Sequence, residues 1–118
     1  MKVEIFKQKE QLGYGILFAD ISGDINYKFD NSRRISLIRI TGTKEGHYDR
    51  FNNIRIGDKT FNYGDLTKDD WKYLDPKRPS WVYTLQVKDY NIETEFNKGD
   101  NFIVEHNNCI NSLILFIK

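Results

Sequence analysis

The sequence predicts an all-β protein: one antiparallel β-sandwich of about eight short strands, with a single short helical turn near residues 67–74. Three observations predict it. From Asn91 to Glu105, apolar and polar residues alternate on both sides of the turn Asn97-Lys98-Gly99-Asp100-Asn101, which is the period-two signature of half-buried strands. Ser112 to Ile117 then runs apolar on both faces, as a core strand does. Alanine, the best helix former, occurs once in 118 residues, at Ala19.

The elements follow in chain order. Val3 and Ile5 alternate with charged neighbours and mark the first strand. Tyr14 to Ile21 is an apolar run that starts at Gly13 and Gly15. Ile25, Tyr27 and Phe29 alternate with Asn26 and Lys28, and Ile35 to Ile40 is rich in β-branched residues. Ile54 and Ile56 flank Arg55 before the turn Gly57-Asp58-Lys59, and Thr60 to Tyr63 returns as the hairpin partner. Trp81, Tyr83, Leu85 and Val87 share one parity, which reads as the core face, and Val82, Thr84, Gln86 and Lys88 take the other. One segment breaks the pattern. Thr67 with Asp70 three residues later resembles a capping box, and Pro76 and Pro79 stop what it starts. This is the expected helical turn, lying across one end of the sandwich.

The bulk numbers narrow the function classes. A chain of 118 residues is one domain, spanning 1–118, and it can bury about two-thirds of its unfolded surface without staples. Lys plus Arg is 18 and Asp plus Glu is 17, so the basic excess of a dedicated nucleic-acid binder is missing. Cys109 is the single cysteine, which excludes an intrachain disulfide and a cysteine-based metal knuckle. No apolar run has the length of a membrane span. The N-terminus lacks the apolar core of a signal peptide. A true start at Met1 places the protein in the cytoplasm, and excision from a larger secreted protein places it outside the cell. Abundant Ile, Lys and Asn beside scarce alanine fits an AT-rich bacterial or phage genome.

Two stretches carry candidate binding residues. Phe61 to Tyr83 holds six aromatics, including Tyr63, Trp71 and Tyr73, much of it in connections. Aromatic rings beside Asn, Asp and Arg suit a sugar, because the apolar C–H face of a pyranose stacks on a ring while polar side chains read its hydroxyls. Against this, Trp81 and Tyr83 read as core, and Trp71 also suits a lid over the core. The polar connection from Thr43 to Asn53 places Tyr48, Arg50 and Asn52 close together. A bland solvated loop with Asp49 and Arg50 paired at the surface would read the same way.

Catalytic chemistry finds little support. Glu93 and Glu95 share the solvent face of a strand, and Cys109 has a histidine no nearer than His106, three residues away. Acid–base or nucleophilic work needs such groups held together in a cleft. Asp20, Asp24 and Asp30, with Asn26 and Asn31, offer oxygens of the kind calcium takes, although Asp/Asn-rich turns are commonly just turns.

Three segments resemble the galactose-binding-domain-like jelly roll, a group that includes many carbohydrate-binding modules. They are Ile35 to Gly42, Phe51 to Phe61, and Phe96 to Val104 followed by Leu113 to Ile117. The resemblance implies a jelly-roll arrangement of the sandwich and a carbohydrate ligand, with the binding residues on variable loops. The reading is therefore a non-catalytic binding module for carbohydrate, with Trp71, Tyr73, Tyr48, Arg50, Asn52 and Tyr63 as its ligand-binding residues and no cofactor. The alternative is a small intracellular protein–protein interaction protein, an inhibitor or immunity factor from a phage or mobile element.

Overall fold

The computed structural model describes residues 1–7, 13–43, 51–62, 72–73, 85–106 and 110–118. Of Thr43, Lys72, Tyr73 and Leu85 it describes the backbone alone. The described residues form eleven strands and no helix: β1 (Lys2–Lys7), β2 (Tyr14–Ala19), β3 (Ile25–Lys28), β4 (Arg33–Thr43), β5 (Phe51–Ile56), β6 (Lys59–Asn62), β7 (Lys72–Tyr73), β8 (Leu85–Tyr90), β9 (Thr94–Phe96), β10 (Asn101–His106) and β11 (Ile110–Ile117). The larger sheet runs β1-β2-β11-β4-β8-β7, with β9 also on β4, and the smaller runs β3-β10-β5-β6. All pairings are antiparallel.

The connectivity is that of a jelly roll. β5 and β6 form a tight hairpin around Gly57 and Asp58, where Gly57 takes φ 61. Around it the pairs nest outward: β4 with β8, β3 with β10, β2 with β11. Folding this long double strand over itself brings β4 against β11 and β5 against β10. The result is two four-stranded layers. β1, β7 and β9 are additions to the larger layer.

Alternation places the core between the layers. Ile16 and Phe18 of β2, Ile38 and Ile40 of β4, and Leu113 and Leu115 of β11 point in from one sheet. Ile25, Ile54, Ile56, Phe102 and Val104 meet them from the other. Phe29 and Phe96 stack with ring centroids 3.8 Å apart, and Phe51 meets Tyr90 edge-on.

Two details differ from the sequence reading. Lys72–Tyr73, expected at the end of the helical turn, is a short strand on β8, and 67–71 lie outside the described residues. The parity of β8 is reversed. Val87 and Asp89 pair with Thr41 and Arg39 on the outer face, while Lys88 and Tyr90 pair with Ile40 and Ile38 on the inner one. Lys88 is only 7% exposed, its ammonium 5.0 Å from the Tyr90 ring centroid. A long lysine stem covers an aromatic ring well. The inner parity of Lys88 and Tyr90 continues through Ile92, Thr94 and Phe96, all buried, while Glu93 and Glu95 face solvent as expected.

Candidate functional site

The two layers differ in width, and the difference creates a cleft. β3 is the last strand of the smaller sheet. It lies over β2, where Tyr27 meets Phe18 edge-on at 5.5 Å. β1 carries the larger sheet one strand further. Val3 and Ile5 pair with Phe18 and Ile16 and so share the inner face with them. Phe18 and Ile16 are 0% and 1% exposed, whereas Val3 and Ile5 are 39% and 60% exposed. The same apolar face is core under β3 and open beyond it.

Between the overhanging β1 and the edge of β3 lies a cavity of about 420 Å³, within the range of small-ligand sites. Ile16 and Phe29 form its buried floor. Ile5, Phe6 and Lys7 make one wall, and the half-buried rings of Tyr14 and Tyr27 face it. Asp30 and Asn31 stand at the rim, where the chain leaves β3.

The polar groups of the cleft are positioned by contacts. The Tyr14 hydroxyl donates to Asn31 Oδ1 at 3.0 Å, which holds the amide at the rim. The Arg33 guanidinium lies 5.4 Å from the Tyr14 ring centroid and backs that ring by a cation–π contact. Tyr27 packs edge-on against Phe29 as well as Phe18. Burial pushes the Tyr27 phenol above its usual 10.0, and the nearby Asp30 carboxylate and Tyr14 push the same way. The phenol therefore stays protonated at neutral pH and can donate a hydrogen bond. The cleft thus offers apolar and aromatic walls with a phenol, an amide and a carboxylate converging at its mouth.

Of the binding residues expected from the sequence, Asn52 and Tyr73 fall among the described residues, and these two sit away from the cleft. Asn52 is exposed at the start of β5, and the register explains why. Phe51 pairs with His106 and Asn53 with Glu105, so Asn52 is the extra residue of a β-bulge, which turns its side chain out of the ladder. Tyr73 pairs through its backbone with Gln86, which itself pairs with Gly42. Both lie towards the end of the sandwich marked by Thr43, Phe51 and His106, away from the cleft, whose rim follows the opposite end of β3. Tyr48, Arg50, Tyr63, Trp71, Trp81 and Tyr83 lie outside the described residues.

The oxygens weighed for calcium are strung along one strand. Asp20 and Asp24 precede β3 and Asp30 and Asn31 follow it, with about 20 Å of extended chain between Asp24 and Asp30. Asp20 takes φ 50, a left-handed turn conformation that aspartate tolerates. Among the described residues no three or more His, Cys, Asp or Glu side chains converge on one point. Glu93 is exposed and pairs with Arg34 at 3.5 Å, and His106 Nε2 is hydrogen-bonded to the Gly23 carbonyl.

Sequence reasoning named Ile5, Tyr14, Tyr27 and Phe29 only as strand residues, and weighed Asp30 and Asn31 for calcium rather than for a cleft. The one available signal was Asp30-Asn31 directly after the alternating Tyr27 and Phe29, which places polar groups beside an aromatic strand end. No family model, curated protein or solved structure matches this chain.

Proposed function

We propose that this chain is a non-catalytic binding module whose ligand is a carbohydrate, held in the cleft between β1 and β3. The observation that carries the reading is the chemistry of that cleft. Tyr14, Tyr27 and Ile5 present flat or apolar surface to a sugar ring, and the Tyr27 phenol, the Asn31 amide and the Asp30 carboxylate stand where ring hydroxyls would be read. A pyranose has this pairing of an apolar face with a rim of hydroxyls. The resemblance to galactose-binding-domain-like jelly rolls supports the same ligand class, with the site on the flank of the sandwich in place of the aromatic-rich connections around Trp71.

Affinity electrophoresis and calorimetric titration against a panel of soluble poly- and oligosaccharides test it. At least one sugar binds, and Asn31→Ala weakens that binding by about tenfold through loss of a charge-free hydrogen-bonding group and its Tyr14 contact. A folded protein that binds none of the panel refutes the carbohydrate reading. The alternative, a protein-interaction module, is favoured by a separate observation: the large apolar side chains that are exposed among the described residues all belong to Met1 or β1. Retention of a host protein together with silence towards every sugar would favour it.

A further inference from the structure

We propose that β1 is a self-association edge, pairing antiparallel with β1 of a second copy so that the larger sheet runs unbroken through a two-fold dimer. The inference stands apart from the carbohydrate reading and does not require it. Three observations carry it.

The first is the edge itself. Among the described residues β1 pairs with β2 alone, so alternate backbone N–H and C=O groups along its other side face outward, a template for another strand. At six residues it is longer than the other described edge strands, β3 and β6 with four each, β9 with three and β7 with two. The second is the concentration of exposed apolar surface on this one segment. Met1, Val3, Ile5 and Phe6 are 53%, 39%, 60% and 37% exposed, and they are the large apolar side chains exposed among the described residues.

The third is charge, which selects both the occupant and the register. Parity must be kept, because a slip of one residue would set the apolar inner face of one copy beside the charged outer face of the other. That leaves registers centred on a single residue. Centred on Glu4, the pairing puts Glu4 opposite Glu4 and Lys2 opposite Phe6. Centred on Ile5, it puts Val3 opposite Lys7 and Glu4 opposite Phe6. Centred on Val3, it puts Lys2 of each copy opposite Glu4 of the other, Met1 opposite Ile5, and Val3 opposite Val3. Only this last register makes two opposite-charge pairs on the outer face and an all-apolar row on the inner face. Lys2 and Glu4 already meet within the strand at 3.0 Å and are well exposed, so both can reach a neighbour. An axis normal to the sheet keeps like faces together, so the two clefts open on the same side of the dimer, one across the other from the paired β1 strands.

Sedimentation velocity over a concentration series tests the proposal, using the unaltered chain, K2E, E4K and the double variant K2E/E4K. Both positions are exposed, and unchanged circular dichroism and melting show that each variant folds. The unaltered chain shifts with concentration from 14.0 kDa to twice that mass. Each single variant turns two symmetry-related attractive pairs into like-charge pairs and raises the dimer dissociation constant by roughly tenfold. The double variant restores the pairing and returns to within about threefold of the unaltered chain. A monomer at every concentration overturns the proposal. So does a dimer indifferent to the single changes, a double variant as weak as the singles, or a monomer whose β1 edge takes up an added strand peptide instead.

Discussion

The turn Asn97–Asp100 and the strand β1 are both short, charge-bearing segments at the surface of the sandwich, and they end up in opposite conditions. In the turn every backbone N–H is committed. Asp100 donates to the Asn97 carbonyl and Asn97 to Asp100 Oδ2, both at 2.9 Å. Gly99, at φ 92, donates to the Phe29 carbonyl at 2.8 Å, and Lys98 donates to Ser32 Oγ at 2.8 Å. Beneath it Phe96 lies stacked on Phe29. β1 has a neighbour on one side and nothing described across from its inner face, so Val3 and Ile5 stay exposed on the face where Phe18 and Ile16 are buried. Alternation tells which face a residue takes. Burial depends on whether a second layer reaches that far, and the larger sheet of this sandwich outgrows the smaller one. The tied end is closed by its own hydrogen bonds, and the untied flank leaves apolar surface open.

This contrast is most easily broken at Phe96. Phe96→Ala removes a fully buried ring from a stacked pair and should lower unfolding free energy by about 3–5 kcal/mol, read by denaturant titration. A loss below about 1 kcal/mol would mean that the turn is not anchored as described. Gly99→Ala comes next, because a side chain at φ 92 costs about 1–2 kcal/mol, visible as a lowered midpoint with an unchanged slope.

Alkaline titration sharpens the other side of the contrast. The raised Tyr27 phenol keeps its proton after an unfolded-state tyrosine would lose it. Its contribution to stability is therefore complete below the ordinary value of 10.0 and is lost as pH rises through the higher folded-state value. Ultraviolet titration should show a late-ionising phenol that Tyr27→Phe removes. Ionisation of Tyr27 together with fully exposed tyrosines would mean that the cleft is wetter than its geometry implies. The smallest stability effect belongs to Ile5→Asn, within about 0.5 kcal/mol for so exposed a side chain. The same change takes an apolar wall from the cleft and should weaken ligand binding measurably, separating a functional surface from a structural one.

Much of the fold was legible in the sequence. Ile92, Thr94 and Phe96 against Glu93 and Glu95, the hairpin at Gly57-Asp58, and the turn at Gly99 each follow from local rules, because period-two burial and positive φ leave direct marks on residue type. The parity of β8 was not legible. Leu85 and Val87 are apolar, yet the inner face is set by Tyr90 and by the strand path that continues into Ile92, with Lys88 lying over an aromatic ring where a hydrophobe would be expected. The cleft left little more than Asp30-Asn31 after an aromatic strand as a local mark, since it arises from the relative widths of two sheets whose strands are far apart in sequence. The bulge at Asn52 belongs to the same class, being a property of its pairing with β10 and not of its own segment.

The most direct test of an open ligand cleft on the β1 flank is a nitrogen-15 chemical-shift titration of the labelled protein with whichever sugar of the panel binds. The account predicts shifts concentrated at Ile5 to Lys7, Tyr14 and Tyr27 to Asn31, with the turn at Asn97 to Asp100 unmoved. Shifts that instead gather around Asn52 and Tyr73, at the other end of the sandwich, would contradict it.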